Sequence, residues 1–450
     1  MPGGPDLAHS GWISVVPALC VLVLALLSRR TFEALIGGCL VGYVILDGGS
    51  FFESFASSLL SVMQQETIAW IILVCGLFGA LIRMLVVSGA SLAFGDFVAR
   101  RVKGPRGALL ATWILGLTIF IDDYLNALAV GSSMRRVTDR YKVSREMLAY
   151  VVDSTAAPIC VLVPLSTWAF YVSGLLEENG VAESGGGLAA YISSVPFVFY
   201  AWAAVLLVPL VALGVVPTFG PMRRAHARAA EGAAVEVDDA GEDSALEPRM
   251  VNYLVPIAVL IGATIAFGID ALRGVIAAVF VTAILFRAQG VKTAILSRAF
   301  FDGFANMLLP LGIVVLSFVL LDINERLGLS GFVIETVRPW MDGGYLPAVT
   351  FLSLSVITFA TGSFWGVYAI ALPIVIPLAN ELGVAPALAV GSVISAGALG
   401  SHACFYGDST VLSSTSCGCD NVDHALTQLP FALLAAAVAT VCYLFFGVIL

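Results

Sequence analysis

Two aspartates stand inside long apolar stretches, and each begins the tripeptide Asp-Ser-Thr. Asp153 precedes a helix-breaking Pro158, and Asp408 follows a glycine. A charged side chain at the centre of a bilayer costs about 2.5–3.5 kcal/mol on insertion scales. We therefore expect Asp153 and Asp408 to face a cavity or an ion, and we predict that they ligate a metal cation. The hydroxyls that follow them are further candidate ligands: Ser154, Thr155, Ser409 and Thr410.

Two more polar stretches interrupt apolar sequence and are expected to join the same site. They supply the candidates Asp122, Asp123, Asn126, Thr361 and Ser363. Carboxylates, hydroxyls, an amide and the carbonyls that a helix break sets free are hard oxygen donors, which suit a small hard cation and suit soft metals poorly. The donor set therefore favours Na⁺.

The composition indicates how these residues are held. Hydrophobic residues make up 59% of the chain and charged residues 12%, and the mean hydropathy is +0.98. A soluble globular domain does not reach these values, so the sequence predicts an all-α polytopic membrane protein. The net charge is −9, and many of the acidic residues lie in one loop. A nucleic-acid partner is not expected.

The chain divides around that polar loop. Residues 217–250 are rich in charge, Ala and Gly and are predicted to form an acidic cytoplasmic linker between transmembrane regions 1–216 and 251–450. Three short matches recur in the same order: residues 51–56 with 300–305, 88–89 with 330–331, and 153–155 with 408–410. We interpret the two regions as repeats of one unit.

The positions of basic residues predict how each repeat crosses the membrane. Basic connectors at 29–30, 100–106 and 135–145 should all be cytoplasmic, so the apolar run 107–133 begins and ends on one side. A re-entrant hairpin satisfies this, with its tip near Asp122. The same reasoning makes run 346–378 a hairpin that enters from outside. Each repeat then has about five transmembrane helices and one hairpin, the second repeat is inverted, and broken helices meet at the midplane.

Four motifs resemble those of the NhaC-type sodium/proton antiporters in their order and spacing. They are Phe120-Ile-Asp-Asp-Tyr-Leu-Asn126, Asp153-Ser-Thr-Ala-Ala-Pro158, Thr361-Gly-Ser-Phe-Trp-Gly366 and Asp408-Ser-Thr-Val-Leu-Ser-Ser414. The resemblance implies an ion-transporter-superfamily fold and exchange of Na⁺ for H⁺. It also implies ion-binding roles at the eleven candidates named above.

One position departs from that family pattern. Where the family has Gly-Asp-His, this chain has Gly400-Ser401-His402, so one carboxylate is missing. Some relatives resemble exchangers of organic acids or amino acids. A Na⁺- or H⁺-coupled transporter of a small organic acid or amino acid therefore stays open as an alternative function.

Two other classes are less favoured. An intramembrane aspartyl protease needs two aspartates, whereas this chain offers four, with duplicated hydroxyls. A pore-type channel would show a repeated filter or a ring of charges, and neither is seen. We expect no enzymatic activity and no cofactor, since the Cys417-Gly-Cys419 spacing matches no standard zinc pattern.

The expected partners are Na⁺, H⁺ and the lipid bilayer, with a homodimer as a further option, and the expected location is the cytoplasmic (inner) cell membrane. The acidic and basic residues near the last apolar run are assigned a surface role. Asp420, Asp423 and His424 are predicted to cap and solvate a cytoplasmic helix start.

Overall fold

A computed structural model describes residues 9–28, 30–120, 122–183, 185–231, 245–268, 270–340, 343–362 and 364–449. The structure is 83% helical, and the described residues contain no strand, which confirms the all-α prediction. Ser363 and positions 232–244 of the predicted linker lie outside the described residues.

Thirteen α-helices precede the second region among the described residues, and the last of them lies in the predicted linker. They are α1 (Val16–Ser28), α2 (Thr31–Asp47), α3 (Phe51–Met63), α4 (Glu66–Val87), α5 (Ala90–Ala99), α6 (Gly104–Thr118), α7 (Asp123–Arg140), α8 (Arg145–Ser154), α9 (Ala157–Cys160), α10 (Thr167–Glu178), α11 (Gly187–Ser194), α12 (Phe199–Leu213) and α13 (Gly220–Ala230). The described part of the second region contains ten. They are α14 (Val251–Ala266), α15 (Ala271–Ala288), α16 (Thr293–Ala305), α17 (Leu308–Leu327), α18 (Leu329–Val337), α19 (Leu346–Thr361), α20 (Trp365–Leu382), α21 (Pro386–Ala403), α22 (Asp408–Cys417) and α23 (Asn421–Ile449).

Several of these helices are long and apolar enough to cross a bilayer. α4 has 22 residues and a mean hydropathy of 2.5, which gives a rod of about 33 Å for a hydrocarbon core of about 30 Å. The described residues contain six such segments, or up to eight if each of two bent helix pairs is one span. The chain is a multi-pass membrane protein.

The order of helices in the second region follows that in the first, and the packing between the regions is reciprocal. α2 packs on α17, and α15 packs on α4; likewise α3 packs on α17, and α16 packs on α4. If α2, α3 and α4 correspond to α15, α16 and α17, each contact has a partner with the two regions exchanged. The four contacts therefore form two reciprocal pairs under this correspondence.

The corresponding helices α4 and α17 run in opposite directions where they meet. A Cβ atom at Gly79, late in α4, would lie 2.4 Å from the Gly303 carbonyl oxygen and 2.6 Å from Met307, just before α17. At the other end, Ile71 of early α4 and Leu321 of late α17 line the same cavity. This antiparallel crossing is what inverted repeats require.

The three short sequence matches fall at different places in their helices. Phe51 begins α3, whereas Phe300 lies well inside α16. Asp153 lies at the end of α8, whereas Asp408 begins α22. The correspondence between the regions therefore rests on helix order and packing, and not on these three matches.

Four helix breaks lie where the sequence predicts them. α6 ends at Thr118 and α7 begins at Asp123; α8 ends at Ser154 before the short α9. α19 ends before Gly362, whose φ of +68° suits glycine, and α21 and α22 meet at a 41° bend. Each break leaves main-chain N–H or C=O groups without intrahelical partners near the middle of an apolar segment.

Candidate functional site

The first centre of the site is built on the amino end of α7. Asp122 is the N-cap residue, and its Oδ1 accepts a hydrogen bond of 3.0 Å from the Leu125 backbone N–H. Its Oδ2 accepts a second bond, of 3.2 Å, from the Thr167 hydroxyl. A carboxylate suits this place because the first N–H groups of a helix lack intrahelical acceptors and carry partial positive charge.

Asp123 follows on the same turn, and its side chain is 2% exposed. Oδ1 accepts a hydrogen bond of 3.1 Å from the Trp168 indole N–H, and the Trp168 ring stacks on Phe364 at 3.5 Å between ring centres. Oδ2 has no hydrogen-bond partner among the described residues. Since buried polar atoms are nearly always paired, this oxygen is a candidate position for a ligand.

Asp408 begins α22 and meets this centre from the second region. Its Oδ2 accepts a hydrogen bond from the Tyr124 hydroxyl, and its Oδ1 accepts one of 2.8 Å from the Ser409 N–H. Asp408 and Asp122 are both close enough to Asp123 to act on it electrostatically. Three carboxylates thus gather where the positive ends of α7 and α22 converge, and we call Asp122, Asp123 and Asp408 the acidic centre.

A second centre surrounds Asp153, which is fully buried. Its Oδ1 accepts a hydrogen bond of 2.5 Å from the Ser409 hydroxyl. Its Oδ2 lies 3.1 Å from His424 Nε2 and accepts a bond of 2.7 Å from the Gln428 amide. His424 and Gln428 are four residues apart on α23 and so share one face. Protein donors already surround this carboxylate.

His402 extends the second centre away from Asp153. Its Nε2 lies 3.0 Å from the Ser154 hydroxyl, and its Nδ1 lies 2.6 Å from the Tyr200 hydroxyl. A neutral imidazole has one donor and one acceptor nitrogen, and a hydroxyl can serve either. Gln428 also donates to the His402 carbonyl oxygen. We call the set Asp153, Ser154, Tyr200, His402, His424 and Gln428 the histidine centre.

The remaining predicted residues hold the backbone at the breaks. The Asn126 amide nitrogen lies 2.7–2.8 Å from the carbonyl oxygens of Gly116, Ile119 and Thr155, and so ties two broken segments together. The threonine hydroxyls bond main-chain carbonyls: Thr155 to Val151 at 2.9 Å, Thr361 to Thr358 at 3.4 Å and Thr410 to Ser401 at 3.2 Å. Ser363 lies outside the described residues.

The prediction for His424 is wrong. Its side chain is fully buried against Asp153 instead of solvating a helix start, although Asp420 does accept the Asp423 N–H at 3.0 Å as a cap. Sequence reasoning also missed Tyr124, Trp168 and Gln428 as parts of the site. A usable signal was the spacing of His424 and Gln428, two polar residues four apart at the start of an apolar helix. In the described residues, no three His, Cys, Asp or Glu side chains form a group that could hold a metal ion, and this includes the three carboxylates of the acidic centre.

Two cavities of opposite charge lie at the two ends of α4. The acidic cavity has a volume of about 490 Å³, and its carboxylates are Glu66, Asp122 and Asp123. The basic cavity has a volume of about 210 Å³. Its charged lining consists of Arg83, Arg135, Arg136, Asp139 and Arg145.

Comparisons with a family model, with a protein sequence and with a solved structure each give a match. The model of the Na⁺/H⁺ antiporter family matches residues 159–448, a range that includes Asp408, His402, His424 and Gln428. An uncharacterised protein of Haemophilus influenzae is 30% identical over 98% of this chain and 92% of its own length. The crystal structure of the YdaH transporter of Alcanivorax borkumensis is 12% identical, with a TM-score of 0.40 over 96% of this chain and 98% of that one.

Proposed function

Because this chain belongs to the Na⁺/H⁺ antiporter family, we propose that it exchanges Na⁺ for H⁺ across the cytoplasmic (inner) cell membrane. Membership identifies a multi-pass membrane transporter of cations and protons. Coupled exchange of these two ions requires that binding of the cation and binding of the proton oppose each other, together with a route that opens to each side in turn.

We assign the two ions to the two centres. Na⁺ binds at the acidic centre, where Asp123 Oδ2 and Asp408 supply hard oxygens beside a water-accessible cavity. The proton is carried at the histidine centre, where Asp153 is sealed from the described cavities. Of the candidates, Ser154, Thr155, Thr361 and Thr410 then support the site, and Ser409 connects its two parts.

The observation that carries this assignment is the double contact of Ser409. Its N–H donates to Asp408, and its hydroxyl donates to Asp153. A cation that binds Asp408 therefore lies beside the residue whose hydroxyl donates a hydrogen bond to Asp153. Binding at one carboxylate therefore changes the hydrogen bonding of the other, which is the requirement for coupled exchange.

The two transmembrane regions provide the movement that alternating access needs. Regions 1–216 and 251–450 act as inverted repeats joined by the cytoplasmic linker 217–250, and they rock against each other so that the site opens alternately. The antiparallel crossing of α4 and α17 supports this. The lipid bilayer surrounds both repeats, and a homodimer is tested by cross-linking in native membranes.

The direct test uses proteoliposomes with a trapped pH dye. Addition of Na⁺ should move protons out of the lumen, and Ser409→Ala should lower the rate about tenfold or more while Ser409→Thr, which keeps the hydroxyl, retains most of it. Size-exclusion profiles check that both variants fold. Full activity in Ser409→Ala would remove the proposed coupling, and no response of the wild type to Na⁺, Li⁺ or K⁺ would remove cation exchange.

A second candidate is coupled transport of a small organic acid or amino acid. The arginines of the basic cavity support it, because guanidinium groups bind carboxylates by paired hydrogen bonds. Malate and amino acids belong in the same dye experiment. A proton signal with malate that disappears in Arg136→Gln would favour this function over cation exchange.

A further inference from the structure

The acidic cavity is much larger than a bare cation requires. A Na⁺ site needs a few oxygens in direct contact, whereas this cavity has a volume of about 490 Å³. That is room for roughly fifteen water molecules at about 30 Å³ each, and it falls in the range of pockets for organic ligands. A water-filled entrance could have the same volume. The residues that line the cavity distinguish it from a pocket for an organic ligand.

The walls combine carboxylates with aromatic rings. Trp70, Tyr124, Tyr171 and Phe318 line the cavity together with the carboxylates. Trp70 and Tyr124 lie 6.0 Å apart between ring centres with a tilt of 44°. Ring faces attract cations, and Trp does so most strongly. A hydrated inorganic ion gains little from such walls, whereas an organic cation can contact both rings and carboxylates.

The carboxylates of the acidic cavity favour a cation that can donate hydrogen bonds. Asp123 Oδ2 is a buried acceptor without a hydrogen-bond partner in the described part of the chain, so a cation that carries N–H groups can donate a hydrogen bond to it. A quaternary ammonium has no such hydrogen. Glu66 lines the same cavity, and its described lining includes no Lys or Arg that would repel a cation.

We propose that the acidic cavity binds a small organic cation with N–H donors, of the guanidinium or primary ammonium class, as a cargo exchanged for protons in place of Na⁺. Its charged end bonds Asp123, and its apolar part lies against Trp70. The proposal rests on the antiport function proposed above and extends its cargo.

The probe is methylguanidinium, which stays charged because guanidinium groups have pKa values above about 12, so it does not carry protons by diffusion. In proteoliposomes it should drive proton movement by itself and compete with Na⁺, with the competition removed at saturating Na⁺. Tetramethylammonium, which lacks N–H donors, should act about tenfold more weakly or not at all.

Variants of Trp70 test whether the aromatic lining of the acidic cavity contacts the organic cation. Trp70→Leu should weaken the apparent affinity for methylguanidinium about three- to thirtyfold, and Trp70→Phe should restore much of it. Trp12→Leu is the matched control, because Trp12 is 70% exposed and does not line the cavity. An equal loss in the Trp12 and Trp70 variants would overturn the assignment of the wall.

The outcomes separate this inference from the proposed function. Na⁺/H⁺ exchange with neither transport nor competition by methylguanidinium overturns the inference and leaves the proposed function intact. Methylguanidinium/H⁺ exchange without a Na⁺ response supports the inference and removes Na⁺ as the cargo. The absence of both signals in folded protein overturns both.

Discussion

The two aspartates that begin Asp-Ser-Thr have the same neighbours in sequence and opposite surroundings in the structure. Asp408 lies at the positive end of α22 beside two further carboxylates, one of which lacks a partner for one oxygen. Asp153 lies at the end of α8, enclosed by His424, Gln428 and Ser409. The group around Asp408 therefore has an unpartnered oxygen, on Asp123, that can take a ligand, whereas the enclosed Asp153 can exchange a proton with its neighbours. The different roles proposed for Asp408 and Asp153 therefore follow from their surroundings and not from the tripeptide that they share.

The largest effect should come from neutralising each aspartate in turn. Asp408→Asn and Asp153→Asn should both abolish exchange, since Asn keeps the shape and loses the charge. They should differ in Na⁺ binding: Asp408→Asn removes a proposed Na⁺ ligand and loses binding, whereas Asp153→Asn, which resembles the protonated carboxyl, weakens binding about tenfold without abolishing it. Binding of radioactive Na⁺ to purified protein measures this. Equal loss of binding in the two variants would erase the distinction between the centres.

The pH dependence should sharpen the same contrast. If protons and Na⁺ compete, the apparent Na⁺ affinity weakens as the pH falls, by up to about tenfold per unit for each competing proton. Saturating Na⁺ should restore most of the rate at low pH. In Asp153→Asn, the apparent Na⁺ affinity should depend less steeply on pH, because one of the competing protons has lost its binding site. A slope that is identical in wild type and variant would place the competing proton elsewhere.

The donors around Asp153 should matter for stability. Gln428→Leu removes an amide that bonds both Asp153 and the His402 carbonyl oxygen, at a cost of about 1.5–3 kcal/mol for a hydrogen bond to a charged group. Thermal unfolding in detergent should show a lower midpoint. Gln64→Leu is the matched control, because Gln64 is an exposed amide at the end of α3. A smaller loss for Gln428→Leu than for this control would contradict the enclosed state of Asp153.

The sequence predicted more of the fold than of the site. Apolar runs and helix breakers located the helices and the four breaks, because both are local properties of the chain. The aspartates were found because a carboxylate in an apolar run stands out. His424 was misplaced because it precedes the apolar part of α23, and only packing against α8 buries it. Tyr124 and Trp168 were missed because aromatic residues are common in membrane helices, and their hydrogen bonds join distant segments.

The smallest expected effect concerns the support behind Asp408. Gly362 has a φ of +68°, and a Cβ atom there would lie 2.8 Å from the ring of Tyr406, two residues before Asp408. Gly362→Ala should therefore lower the free energy of unfolding by about 1–2 kcal/mol. An alanine is strained in the left-handed backbone conformation, and the Tyr406 ring must shift to make room for its Cβ atom.

The matched control is Gly174→Ala in α10, where a Cβ atom has nothing within 4 Å and the helix should gain about 0.5–1 kcal/mol. Thermal midpoints and the apparent Na⁺ affinity are measured for both. Because Gly362 contacts Tyr406, two residues before Asp408, its variant should weaken Na⁺ affinity slightly while leaving the pH slope unchanged. A changed slope with unchanged affinity would mean that the break at Gly362 supports the histidine centre instead, and the division between the two aspartates would have to be redrawn.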